Sequence, residues 1–257
     1  MRVTNIELEQ RTPKRGRRPL AIVAILAVLA VAAVAIVYLS FFNEDAPAPL
    51  ALTDQPTPTT ASGPATTTAA TLATSSTQLA GTWRVAEGST AGYRVREKLA
   101  ALPAKSDAVG RSPAVTGTVR VDGSGTALTA SEARFEVDLT KLASDESRRD
   151  NRIRTDGLQT NQFPKATFVS TKPIALPAET ASGQAVKASA EGDLTIHGVT
   201  KQVTIPLDVR VVGGKGELVG SLQFPMSDFN ISPPNIGGFV TVDPDATLEF
   251  KLVLEKA

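Results

Sequence analysis

The chain has 257 residues, with 27 basic and 26 acidic side chains and no cysteine. Without cysteine, disulfide scaffolds, zinc ribbons, thiol nucleophiles and a lipidated cysteine anchor are excluded. Residues 80–257 hold 21 basic and 21 acidic side chains. This part of the chain therefore has no basic excess to neutralise phosphates, and we expect no nucleic-acid partner.

The first 42 residues have the pattern of a membrane anchor. Residues 1–19 are a basic tail with a net charge of +4, and residues 20–42 contain no charge. As a helix, the uncharged run would be about 34 Å long, enough to cross the hydrocarbon core of a bilayer. A cleavable signal peptide is the alternative, but its apolar region is usually only about 7–15 residues long.

The charges on either side of this run predict its orientation. Most of the basic residues precede the run, whereas Glu44 and Asp45 follow it. By the positive-inside rule, the N-terminus is expected in the cytoplasm and the C-terminal domain outside it. The sequence therefore predicts a single-pass protein of the cell membrane with an extracytoplasmic domain.

Residues 43–79 form a linker of low complexity. Threonine, alanine, proline and serine make up 26 of its 37 residues, and only three residues are charged. Such a segment cannot bury enough apolar surface to offset the entropy lost on ordering. We predict a disordered tether that spans on the order of 35 Å. A glycosylated stalk would have the same composition.

From residue 80 onward, alternation of apolar and polar residues replaces the helical period. In residues 247–255 (TLEFKLVLE), for example, the apolar side chains share one face. The stretch 146–163 lacks alternation, and within it residues 148–158 are predicted to form a helix or two short turns. We predict eight or nine strands, at about 83–86, 92–97, 115–121, 133–139, 166–171, 188–196, 203–211, 218–224 and 247–255.

Eight or nine antiparallel strands that are each apolar on one face favour a sheet closed on itself, because closure leaves no exposed edge strand. The predicted fold class is all-β: an antiparallel barrel of about eight strands with one or two short helices, preceded by a single transmembrane helix and a disordered linker. A two-sheet sandwich is the structural alternative. A barrel of this size either fills with its own side chains or holds one ligand, and the sequence leaves both open.

Three motifs, in order along the chain, resemble the YceI-like family. They are residues 147–152 (SRRDNR), residues 163–168 (FPKATF) and residues 192–201 (GDLTIHGVTK). The resemblance covers residues 79–257, and three ordered motifs are a specific signal. It implies a lipocalin-like barrel without catalytic residues that binds polyisoprenoid or other long-chain lipids in the bacterial envelope.

The candidate ligand-binding residues are apolar and aromatic side chains expected on the inner face of the barrel. About half of the aromatic residues would serve as ordinary core, and the rest would line an apolar cavity. The candidates are Trp83, Tyr93, Phe135, Phe168, Leu194, Ile196, Leu222, Phe224 and Phe250.

Arginines in the segment without alternation are candidates for contact with a ligand head group. Arg148 and Arg149 are followed closely by Arg152 and Arg154, and a guanidinium suits a phosphate. The alternative is that neighbouring carboxylates neutralise these arginines on a solvated face. Those carboxylates are Asp145, Glu146, Asp150 and Asp156.

Signatures of catalysis or metal binding are missing from the sequence. His197 is the sole histidine and lies in a predicted turn, so we expect it to make a structural polar contact. The chain has no nucleophile elbow, phosphate loop or zinc-protease motif. The expected function is a membrane-tethered binding protein for an apolar lipid, with no enzymatic activity, cofactor or metal. The alternative is a filled barrel that recognises a protein or cell-wall partner.

Overall fold

A computed structural model describes residues 46–53, 79–100, 105–124, 127–236 and 240–257. These residues belong to one compact unit, Ala46–Ala257. Within them, no helix has the length and apolar character needed to cross a membrane. The predicted basic tail (1–19), the predicted transmembrane helix (20–42) and most of the predicted linker lie outside the described residues.

Antiparallel strands make up most of the unit. The described strands are β1 (Gly81–Val85), β2 (Thr90–Leu99), β3 (Lys105–Ser112), β4 (Val115–Ser124), β5 (Ala127–Asp138), β6 (Lys165–Ser170), β7 (Ile174–Leu176), β8 (Val186–Ile196), β9 (Val199–Val212), β10 (Lys215–Pro225), β11 (Asn235–Ile236) and β12 (Val240–Lys256). One short helix, α1 (Ser147–Arg152), continues into a π-helical turn, Ile153–Gly157. Single 3₁₀ turns occur at Leu139–Lys141, Ala178–Ser182 and Met226–Phe229.

Eight of these strands close into a barrel. Their order around the ring is β1-β4-β5-β6-β8-β9-β10-β12, and pairing of β12 with β1 completes it. The Cα atoms of Trp83 and Lys256 are partners at this closure. Closure confirms the predicted antiparallel barrel of about eight strands and excludes the two-sheet sandwich.

β2 and β3 extend the barrel at one end. β1 and β2 both pair with β12, at Val85↔Leu254 and Thr90↔Lys251, so together they form one interrupted strand. β3 pairs with β2 in the same way that β4 pairs with β1. The added strands lie at one end of the barrel, and Leu79 and Trp83 are buried at the other end. We call the first the open end and the second the closed end.

The predicted alternation explains most of the strands. In β8, Ala190, Gly192, Leu194 and Ile196 are buried, and the residues between them are at least partly exposed. β8 and β9 are joined by His197 and Gly198, both with positive φ (52° and 72°). Two successive positive φ values are typical of the tight hairpin turns whose twist matches that of the flanking strands.

β3 and β7 were not predicted. β7 is only three residues long, which is too short for alternation to be recognised. In β3, Ala108, Val109 and Gly110 are buried in succession, so both faces of the strand are covered. Burial on both faces removes the alternation on which the prediction depends.

Candidate functional site

The barrel encloses an inner chamber of about 140 Å³. Almost all of the side chains around it are apolar. They include Trp83, Val119, Phe135, Phe168, Leu194, Ile205, Leu218 and Phe250. At the closed end the indole N–H of Trp83 donates to the carbonyl oxygen of Leu79 at 2.8 Å. The polar atom of the indole is therefore satisfied, and the ring presents only apolar surface to the chamber.

A larger outer chamber of about 650 Å³ lies at the open end, between the strands and α1. Its wall is mostly apolar, but three arginines of α1 lie at its rim. The lining residues include Tyr93, Val95, Ile196, Phe224, Arg148, Arg149 and Arg152. Four residues, Ala91, Val137, Ala166 and Leu248, line both chambers. The two chambers are therefore neighbours, and we call these four shared residues the junction.

Aromatic rings in the barrel lie against glycines of neighbouring strands. A Cβ added to Gly220 would overlap the ring of Phe250, and one added to Gly110 would overlap the ring of Tyr93. The same relation holds for Gly117 with Phe135 and for Gly192 with Phe168. A glycine leaves room for a ring to lie along the sheet instead of across the interior.

Arg149 joins α1 to the barrel wall through Glu97. Its Nε donates to Oε1 of Glu97 and its Nη2 donates to Oε2, each at 3.1 Å, and Asp145 accepts a third hydrogen bond. Burial lowers the pKa of the Arg149 guanidinium, but the hydrogen bonds and charge of Glu97 outweigh burial and raise it above its ordinary value. Arg149 is therefore permanently charged and locally neutralised.

Arg148 and Arg152 differ from Arg149 in having no acidic partner. Both side chains are exposed at the rim of the outer chamber, and in the described part of the chain neither forms an ion pair. They are four positions apart on α1 and so share one face of it. The predicted neutralisation by carboxylates holds for Arg149, and two cations remain free to meet an anionic group.

The hydroxyl of Tyr93 is buried and has no hydrogen-bond partner among the described residues. Burial raises the pKa of the Tyr93 hydroxyl well above its ordinary value of 10.0, because the charged form would be poorly solvated. The group is therefore a neutral donor at physiological pH. An unsatisfied buried donor is uncommon in a folded protein.

Nearly all of the candidate residues line one of the two chambers. Trp83, Phe135, Phe168, Leu194 and Phe250 line the inner chamber. Tyr93, Ile196, Phe224, Arg148 and Arg149 line the outer chamber. Leu222 lines neither chamber; it is partly buried and packs against the core.

Glu97, which is only 8% exposed, was not among the residues predicted from the sequence. The signal was present, because Glu97 has the same parity along β2 as Tyr93 and Val95 and so faces inward with them. A carboxylate on the inner face of a barrel needs a partner, and Arg149 supplies it. His197 makes polar contacts: Nδ1 lies 3.1 Å from the carbonyl oxygen of Phe229 and Nε2 lies 3.1 Å from Oε1 of Gln159.

The fold and the two chambers define a closed antiparallel barrel with an apolar interior that opens beneath a short cationic helix. Residues 83–254 match the YceI-like domain. The chain therefore belongs to the YceI-like domain family.

Several known proteins are similar to this chain. A UPF0312 protein of Vibrio parahaemolyticus is 32% identical over 126 residues, which are 46% of this chain and 62% of the relative. A UPF0312 protein of Shewanella denitrificans is 34% identical over 110 residues, which are 39% of this chain and 54% of the relative. The chain thus spans less than two thirds of the length of these curated relatives.

A solved structure shares the fold. It is a polyisoprenoid binding domain from Saccharophagus degradans implicated in plant cell wall breakdown. The TM-score is 0.50 at 16% sequence identity, and the match covers 68% of this chain and 98% of that one. At this identity the similarity concerns the fold.

Proposed function

We propose that the protein is a membrane-tethered, extracytoplasmic carrier that binds a long-chain apolar lipid of the polyisoprenoid kind. The observation that carries the proposal is the pair of neighbouring chambers that share the junction. The outer chamber, at about 650 Å³, lies within the range of about 300–1,000 Å³ that is usual for small-molecule sites. The tail of the lipid would extend from the outer chamber into the inner one.

The chemistry of the inner wall suits a hydrocarbon tail. Each methylene group removed from water contributes about 0.8 kcal/mol, so a long tail strongly prefers an apolar wall to water. The bilayer offers the same environment, and extraction from it therefore has little net driving force. A tether to the membrane raises the effective concentration at which the barrel meets lipid. That tether is proposed from the apolar run 20–42 and the charges on either side of it.

The head of the lipid would lie in the outer chamber. Arg148 and Arg152 line this chamber without acidic partners, and guanidinium groups bind phosphate through paired hydrogen bonds. The polyisoprenoid binding described for the Saccharophagus degradans domain supports the choice of lipid class. A filled barrel that recognises a protein or cell-wall partner is the alternative function, and the two apolar chambers count against it.

The test is to block the junction. Ala166 is 7% exposed and lines both chambers, so Ala166→Phe would close the path to the inner chamber. The matched control is Ala175→Phe, because Ala175 is exposed on β7. The full chain and both variants are purified in the same detergent, and bound lipids are extracted and identified by mass spectrometry. Lipids that merely surround the anchor are the same in all three proteins.

We expect the unchanged chain and Ala175→Phe to retain a long-chain lipid. The amount of lipid bound to Ala166→Phe should be at least tenfold lower. Ala91→Phe, at the same junction on another strand, should behave like Ala166→Phe. Fluorescence of Trp83 reports whether each variant is folded. Equal amounts of lipid in all folded variants, or none in the unchanged chain, would reject the carrier function.

A further inference from the structure

Residues 46–53 (APAPLALT), which we call the strap, lie along the outside of the barrel although they belong to the predicted linker. Three arginines donate to its main-chain carbonyl oxygens. Nη2 of Arg94 donates to Pro47 at 2.6 Å, Nη2 of Arg111 donates to Ala48 at 2.8 Å and Nη2 of Arg210 donates to Thr53 at 2.5 Å.

Thr53 makes the largest number of these contacts in the strap. Its N–H donates to Oε2 of Glu217 at 3.2 Å, and its hydroxyl donates to Oε1 of the same carboxylate. Lys251 Nζ donates to the Thr53 hydroxyl at 2.7 Å. Donors and acceptors of Thr53 are therefore matched by groups on three strands, β9, β10 and β12.

The outer face beneath the strap is built from two carboxylates, each held between two cations. Glu249 is only 3% exposed and pairs with Arg94 and Arg111. Glu217 pairs with Arg210 and Lys251. A guanidinium has five donors, so N–H groups remain after the carboxylate is satisfied. These remaining donors suit main-chain carbonyl oxygens, which are uncharged acceptors.

We propose that this outer face is a docking site for the chain's own residues 46–53. The linker is then not a single free tether. The docking rests on the described residues alone and is independent of the proposed function.

The strap also has a direction along the barrel. Pro47 contacts Arg94, whose Cα partner Thr247 lies between Ala246 and Leu248 of the outer chamber. Thr53 contacts Glu217, whose Cα partner is Val253, near the closed end. The strap therefore begins at the level of the outer chamber and ends near the closed end.

Spin labels on the full chain test the docking. Because the chain has no cysteine, Ala51→Cys and Arg134→Cys introduce only the two labelled sites. Ala51 is in the strap and Arg134 is exposed on β5. Pulsed electron paramagnetic resonance then measures the distance between the two labels. Thr53→Pro removes the N–H and the hydroxyl that contact Glu217, and Thr59→Pro is the matched control outside the strap.

We expect one narrow distance in the doubly labelled chain, retained with Thr59→Pro and reduced to less than half its amplitude with Thr53→Pro. An undocked flexible chain from residue 51 to residue 79 has an r.m.s. end-to-end distance of roughly 29 Å. It would give a broad distribution of distances between the labels, and that result would overturn the proposal. A narrow distance that persists in Thr53→Pro would overturn it too. So would loss of the distance when labelled chains are co-expressed with a tenfold excess of unlabelled chain, because a second copy would then supply the strap.

The readout involves neither lipid nor membrane. A failure of docking therefore leaves the lipid extraction experiment to be judged separately, and the reverse also holds.

Discussion

At the scale of single residues, the interior of the barrel depends on pairs of a glycine and an aromatic ring. Phe250 on β12 and Gly220 on β10 are Cα partners, and the ring lies where a side chain at Gly220 would otherwise be. Without such a glycine, the ring would have to turn toward the barrel axis. The glycines thus help to keep the inner chamber open while the aromatic rings still bury apolar surface.

Replacement of Gly220 by alanine should destabilise the barrel. The new Cβ would overlap the Phe250 ring and come within 3.0 Å of Leu207 Cδ2. The ring must then move into the inner chamber, and overpacking of this kind typically costs about 1–3 kcal/mol. The measurement is chemical denaturation followed by fluorescence of Trp83, the sole tryptophan.

The control is Gly157→Ala, because nothing lies within 4 Å of a Cβ at Gly157. It should change the free energy of unfolding by less than about 0.5 kcal/mol or stabilise slightly. Equal effects of the two substitutions would show that the ring and the glycine are not coupled.

At the scale of elements, α1 is held over the outer chamber by the ion pair of Arg149 and Glu97. The side chains are only 20% and 11% exposed, so solvent screens the pair less than it would a surface pair. Glu146 caps α1 by accepting from the N–H of Arg148 at 2.9 Å. Asp150 accepts from the N–H and hydroxyl of Ser144, which fixes the loop before the helix.

Arg149→Met should loosen α1. The substitution leaves the carboxylate of Glu97 in the outer chamber without its cation, and a buried group without its charged partner costs about 1–3 kcal/mol. Hydrogen exchange followed by mass spectrometry should show faster exchange in residues 147–157, with little change in the barrel strands.

Two further variants separate the ion pair from general effects at α1. Arg148→Met is the control for exchange, because Arg148 is exposed, and it should leave protection of α1 unchanged. The double variant Glu97→Gln with Arg149→Met removes the unpaired charge of Glu97. It should restore part of the protection of α1 against hydrogen exchange. If Arg148→Met and Arg149→Met accelerate exchange equally, the pair does not hold the helix.

At the scale of the whole molecule, the strap connects the N-terminal part of the chain to the barrel through Glu217. Burial would raise the pKa of this carboxyl, but hydrogen bonds from Thr53 and Arg210 and the charge of Lys251 outweigh burial and lower it below the ordinary value of 4.5. The carboxylate is therefore stabilised when the strap is docked.

Docking should weaken in acid. Because the pKa of Glu217 is lowered, its contribution is fully present above the ordinary value of 4.5 and is lost as the pH falls below that value through the lowered pKa. The distance between labels at positions 51 and 134 should broaden over this range while Trp83 fluorescence still reports a folded barrel.

Glu217→Gln isolates the group. The cations that face it, Arg210 and Lys251, and Glu249 beneath the other half of the strap are all unchanged by the substitution. The variant should dock more weakly at neutral pH and show no broadening as the pH falls. Broadening of the same size in the variant would assign the pH dependence to another group.

The sequence by itself determined nine of the twelve described strands and which of their faces are apolar, because alternation is a local property of each strand. It also located α1, since loss of alternation over 146–163 is equally local. The predicted transmembrane helix lies outside the described residues and stays a prediction.

Only the tertiary structure decided which residues meet across strands. The contacts between Phe250 and Gly220, between Arg149 and Glu97, and between the strap and the outer face all join residues distant in the chain, and register between strands sets them. The same holds for the chambers, whose size depends on how rings pack once the barrel closes. A pattern read along one strand carries no information about how those rings pack, because their packing depends on long-range pairing.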